Sequence, residues 1–127
     1  PRLRSHTRRA WPGLNRILVI EDSPAIGLLL RRRLEMAGYS IDVVPEGKVA
    51  LERLEEGLVP DLVLADVQMP GLDGLETLAR IRRSHGDLPV ILVTGQELNH
   101  GQREQANAVF AKPIEFEPLL EKIEDLI

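Results

Sequence analysis

Five short apolar runs recur along the chain, at residues 17–20, 40–44, 62–65, 90–93 and 108–111. They are rich in β-branched residues and nearly free of charge, with Asp42 the one break, so they predict strands buried on both faces of a parallel sheet. Between them the apolar period changes to that of helices. Ser23-Pro24 pairs an N-cap with proline at the first helical position, and Ile26, Leu29, Leu30, Leu34 and Ala37 follow at helical spacing up to Gly38. Ala50, Leu51 and Leu54 mark a second helix, closed by Gly57. Leu75, Leu78, Ala79 and Ile81 mark a third. Phe116, Leu119, Leu120, Ile123 and Ile127 mark the last, whose first turn tolerates Pro118. One weak helix fits between Thr94 and Ala108. Strands alternating with helices, joined by right-handed crossovers, predict a doubly wound, three-layer α/β fold of the (βα)5 kind.

Composition narrows the class. A chain of 127 residues has room for one domain. Its 43% hydrophobic and 28% charged residues are those of a globular protein, not of a disordered or fibrous one. The absence of Cys excludes disulfides, Cys-based zinc sites and a thiol nucleophile. No apolar run is long enough to span a bilayer and no signal-peptide core follows the basic start, so a cytoplasmic protein is expected. The net charge of −4 hides an asymmetry. Residues 1–16 carry five Arg and no acid, which leaves 11 basic against 20 acidic residues in the remainder. Residues 1–15 are therefore read as a basic N-terminal extension or linker, and 16–127 as the domain. An acidic body argues against nucleic-acid binding by the fold itself.

In a doubly wound sheet the site lies beyond the carboxyl ends of the strands. Those positions hold Glu21-Asp22, Asp66, Thr94 and Lys112-Pro113. Each acid alone reads as a cap or a solvated loop residue. Brought together at one sheet edge, three carboxylates repel and call for a cation. Oxygen donors without His or Cys point to Mg²⁺. Asp22 and Asp66 are the leading ligands, Glu21 follows, and the backbone carbonyl of Gln68 can add an oxygen. Lys112 can balance the carboxylates and hold a phosphoryl oxygen, and the Thr94 hydroxyl can donate to another. A carboxylate nucleophile, Mg²⁺, a lysine and a hydroxyl donor make a working set for phosphoryl transfer.

Glu21-Asp22, the run Leu62-Val63-Leu64-Ala65-Asp66-Val67-Gln68-Met69-Pro70-Gly71-Leu72-Asp73-Gly74, Val93-Thr94-Gly95 and Ala111-Lys112-Pro113-Ile114 together resemble the receiver domain of two-component response regulators. The resemblance spans about Arg16 to Ile127. It implies a flavodoxin-like fold with strand order 2-1-3-4-5. It implies a phosphoacceptor, Asp66, charged from the phosphohistidine of a sensor histidine kinase or phosphotransfer protein. Asp22, Asp66 and the Gln68 carbonyl would hold Mg²⁺, with Glu21 acting through water, and Thr94 and Lys112 would bind the phosphoryl oxygens. The implied role is a switch that controls an output partner or domain, not a turnover enzyme, although it assists its own phosphorylation and hydrolysis. A homodimer is left open. Met69-Pro70-Gly71 reads as a tight turn, Gly74 as a close approach of the third helix, and Asp73 as a cap.

Two departures stand out. The position three residues before the lysine, where the family usually carries Tyr or Phe, is Val109; strand alternation turns the neighbouring Phe110 to the other face. Only 17 residues separate Thr94 from Lys112, which predicts a shortened or irregular fourth helix anchored by Leu98 and Ala106. His6, His85 and His100 fall on polar segments and read as surface residues. Two other phosphate-handling folds fit less well. A haloacid-dehalogenase-type hydrolase needs an acid where Gln68 stands, and an FMN carrier needs a phosphate loop where Glu21-Asp22 would repel one. A structural domain with a silent site is weakened by the five competent residues that fill the expected positions.

Overall fold

A computed structural model of the chain describes residues 15–68, 71 and 73–127. Among the described residues five strands alternate with five helices: β1 (Arg16–Ile20), α1 (Pro24–Met36), β2 (Ser40–Val44), α2 (Gly47–Glu55), β3 (Leu62–Asp66), α3 (Gly74–Ser84), β4 (Val90–Thr94), α4 (His100–Glu104), β5 (Ala108–Ala111) and α5 (Phe116–Leu126). All pairings are parallel and the spatial order is β2-β1-β3-β4-β5. No helix among the described residues is long and apolar enough to cross a membrane.

Strand alternation divides the core into two layers. Leu18, Ile20, Val63, Ala65, Val90 and Leu92 face Ala50 and Leu54 of α2 and Leu78 and Ile81 of α3. Ile17, Val19, Leu62, Leu64, Ile91 and Val93 face Leu30 and Leu34 of α1 and Leu119 and Ile123 of α5. Each Val, Leu or Ile among them, fully buried, contributes about 1.5–3 kcal/mol. The sheet is therefore sealed on both sides, and only its ends are open for chemistry.

Helix α1 departs from its predicted face. Ser23 Oγ caps it by accepting from Ile26 N–H at 3.3 Å, and Gly27, Leu30 and Leu34 form its buried stripe. Ile26 and Leu29, expected in the core, are 40% and 50% exposed, and Ala37 is exposed as well. A helix turns 100° per residue, so a position immediately before a core residue falls on the flank. Gly27 brings α1 close to β2: a Cβ there would lie 3.1 Å from Val43 Cγ1. Gly38 and Gly57 end α1 and α2 at φ of 101° and 111°, a region unfavourable to any side chain.

The fourth helix is short, as expected. Asn99 Oδ1 accepts from Gln102 N–H and Gln102 Oε1 accepts from Asn99 N–H, which closes a capping box. No residue of α4 is buried. Leu98 and Ala106, on either side of it, make its contacts with the core.

One polar residue outside the sequence-predicted set organises this region. The Arg82 guanidinium donates to the carbonyls of Leu88 at 2.6 Å, Gln105 at 2.9 Å and Gly86 at 3.2 Å, and to Asn107 Oδ1 at 2.7 Å. Asn107 Oδ1 also accepts from Val90 N–H at 2.8 Å. Arg82 thus pins the end of α3 to the loops that lead into β4 and β5. Burial lowers its pKa from the usual value, with Asp87 acting in the opposite direction. Arg82→Ala is expected to cost about 2 kcal/mol, because it strips a charged donor from several acceptors at once. Urea unfolding reads this as a lower midpoint at unchanged m; a loss under about 0.5 kcal/mol would mean that water replaces the donor without penalty.

Candidate functional site

The in-register ladder determines which side chains meet. Ile20 pairs with Ala65, which places Glu21 and Asp22 beside Asp66 at the carboxyl edge. One carboxylate oxygen from each of Glu21, Asp22 and Asp66 lies within 4.8 Å of the others. Glu21 and Asp66 are 7% and 5% exposed, and Asp22 is open to solvent. The convergence expected of these three residues is what the fold produces.

The two buried carboxylates, Glu21 and Asp66, are held by donors. Glu21 Oε2 accepts from Ser23 N–H at 3.0 Å. Asp66 Oδ1 accepts from Gln68 N–H at 3.1 Å, and Oδ2 accepts from Lys112 Nζ at 2.8 Å. Lys112 reaches Asp66 because β5 ends alongside β4: Lys112 N–H donates to the Thr94 carbonyl at 3.0 Å. The Lys112–Pro113 peptide bond is cis. Burial raises the Glu21 pKa above the usual carboxylate value. The Ser23 N–H opposes this, Asp66 adds to it, Lys112 opposes it, and a hydrogen bond with Asp22 adds to it. An acid raised first by burial, with a second carboxylate beside it adding to the rise, marks a site short of positive charge.

Thr94 is 3% exposed at the end of β4. Its hydroxyl accepts from Gln96 N–H at 3.0 Å and donates to the Gln96 carbonyl at 3.3 Å. Here Thr94 caps its own loop. Gln68 is exposed, and its N–H, rather than its side chain, touches Asp66. Asp73 caps α3, its Oδ1 accepting from Glu76 N–H at 2.9 Å. Of the Met69-Pro70-Gly71 turn, Met69 and Pro70 lie outside the described residues; Gly71 has φ of 74°. Val109 packs on the Thr94 side of the sheet and Phe110 on the other, within the α1/α5 layer. His85 bonds Ser84 Oγ through Nδ1, and the largely exposed His100 pairs with Glu104; His6 lies outside the described residues.

The family model of the response regulator receiver domain matches residues 17–124. The chain belongs to this family. Among curated relatives, the receiver is 36% identical to the response regulator MprA of Mycolicibacterium vanbaalenii, over 88% of this chain and 50% of that protein. It is 40% identical to the transcriptional regulatory protein YkoG of Bacillus subtilis, over 84% and 48%. The chain thus spans about half the length of these relatives. The response regulator TrrA of Thermotoga maritima, solved with Mg²⁺-BeF, superposes with a TM-score of 0.83 at 35% identity, over 90% of this receiver and all of that chain. TrrA solved in complex with the histidine kinase ThkA superposes with a TM-score of 0.82 at 34% identity, over 90% and 99%.

Proposed function

We propose that residues 16–127 form a phosphorelay receiver that accepts a phosphoryl group on Asp66 from the phosphohistidine of a histidine kinase or phosphotransfer protein, in the cytoplasm. The contact that carries this reading is Lys112 Nζ on Asp66 Oδ2 at 2.8 Å, inside a cluster of three carboxylates. Hard oxygen donors at this spacing suit Mg²⁺. Asp22, Asp66 and the Gln68 carbonyl would hold the ion, with Glu21 acting through water. When bound, it supplies the positive charge that the cluster lacks and offsets the charge of an incoming phosphoryl group.

The chain's own residues do the rest. An Asp66 oxygen attacks phosphorus as the P–N bond breaks, and the imidazole nitrogen leaves with the bonding pair and takes up a proton. Lys112 moves its charge from Asp66 Oδ2 to a phosphoryl oxygen. Thr94 exchanges its Gln96 partners for another. That exchange loosens the loop before α4, since Val109 on β5 provides no aromatic switch, and an output partner or domain reads the change. The similarity to TrrA, solved both with Mg²⁺-BeF and with its kinase, supports the donor class and the ion.

The decisive measurement is phosphate incorporation from a small acyl phosphate, followed by intact mass. Incorporation is expected with Mg²⁺ and not with EDTA; none at any Mg²⁺ concentration would overturn the reading. Lys112→Ala is expected to slow incorporation by 10²-fold or more, roughly the effect of removing one positioned charge donor.

A further inference from the structure

At the end of the sheet opposite the acidic cluster, the loops leading into β3 and β4 leave a groove of about 370 Å³. Leu54, Leu58, Val59, Pro60, His85 and Leu88 line it. Leu54, Leu58 and Leu88 are continuous with the core, so its floor is apolar. Val59 is 79% exposed at the rim, where a branched aliphatic side chain gains nothing from water.

The chain enters the fold beside this groove. Arg16 N–H donates to Asp61 Oδ2 at 2.8 Å, and Asp61 N–H donates to the Arg16 carbonyl at 2.7 Å. Asp61 directly follows Pro60, so Asn15, the residue that follows the stretch 11–14, lies next to the groove's edge. That stretch reads Trp11-Pro12-Gly13-Leu14 and holds the chain's single Trp. Strands β3 and β4 lie about 5 and 10 Å from β1. The four residue steps from Trp11 to Asn15 reach about 13 Å when extended, which spans the groove. Upstream lie Arg8 and Arg9. Asp87 on the groove wall and the exposed Glu55 and Glu56 at the end of α2 offer them opposite charge.

We propose that the segment preceding β1 docks into this groove with Trp11 as its anchor. Tryptophan is the largest apolar payload a side chain offers, with one polar N–H left for the rim. Docking shields Val59 and gives the basic lead a defined seat on an acidic domain. The seat is independent of the phosphoryl site, so its test does not depend on that reading.

Trp11, as the sole Trp, reports on this directly. In the full chain its fluorescence emission is expected to be blue-shifted from that of N-acetyl-tryptophanamide and protected from acrylamide. Val59→Asp, at an exposed position, is expected to shift emission to the free-amide value and remove the protection while the domain still unfolds in one cooperative transition. Trp11→Ala is expected to move the amide resonances of Val59, His85 and Leu88. Emission already at the free-amide value in the parent would overturn the proposal. So would a blue shift insensitive to Val59→Asp, or one that fades on dilution, which would seat the segment on a second copy.

Discussion

Asp66→Asn is expected to abolish Mg²⁺-dependent phosphoryl incorporation while the fold survives. The carboxamide is no nucleophile towards phosphorus, so incorporation falls to background. Stability without metal is expected to change by less than about 1 kcal/mol, because two Coulomb effects oppose one another. The substitution loses the attraction between Lys112 and Asp66 at 2.8 Å. It also relieves the repulsion among Glu21, Asp22 and Asp66, which lie within 4.8 Å. The Lys112 hydrogen bond persists to the amide oxygen. Mg²⁺ separates the two proteins: a ligand bound only by the native state adds about 2.7 kcal/mol at a hundredfold excess over its Kd. The parent is expected to show this rise in urea midpoint on titration with Mg²⁺, and the variant a smaller one at the same concentrations. Incorporation that persists in Asp66→Asn would place the phosphoacceptor elsewhere. An equal Mg²⁺ response would remove Asp66 from the ion's ligands.

The site was legible because its residues sit at strand ends, and strand ends are written in hydropathy. The apolar run of β1 stops at Ile20 and that of β2 at Val44, where the ladder stops too. Strands β3 and β4 each extend one residue further, to Asp66 and Thr94, because the pairings Asp66–Val93 and Thr94–Ala111 continue the ladder through polar side chains. Hydropathy does not register those. The split of Val109 and Phe110 to opposite faces followed from alternation alone. Less legible was what lies far apart in sequence. The contact between Lys112 and Asp66 joins positions 46 apart, and only the strand order makes it inevitable. Arg82 reads in the sequence as a solvated helix charge. Its acceptors come from the loops that lead into β4 and β5, up to 25 residues away, and no local period announces them. Ile26 and Leu29 failed for the converse reason. Five apolar residues in one helix period describe a broader stripe than the two-layer packing of α1 on β2 needs, and Gly27, silent in any hydropathy scale, takes the close contact.

Gly74→Ala is expected to cost about 3 kcal/mol, the upper range for overpacking against parts that cannot move. In an unconstrained helix the same change would stabilise by about 0.5–1 kcal/mol. Here a Cβ would collide with the Asp66 carbonyl oxygen and lie 2.7 Å from Val67 Cα. Both are backbone atoms at the end of β3, a strand buried along its whole length. The helix must yield instead. It would lose the Gly74 N–H bond to the Val67 carbonyl at 3.0 Å and displace Leu78 and Ile81 from the core. The same collision presses on Asp66 itself, so the variant is expected to bind Mg²⁺ more weakly even where it is still folded. Gly86→Ala provides the control. Its Cβ would meet the Arg82 carbonyl oxygen at 3.5 Å, an ordinary contact, and its cost is expected to stay within about 0.5 kcal/mol. Urea unfolding of the two variants, with and without Mg²⁺, checks both expectations. If Gly74→Ala proved as stable as Gly86→Ala, the start of α3 could withdraw freely, and the approach of α3 to Asp66 would not be what holds the acidic edge in place.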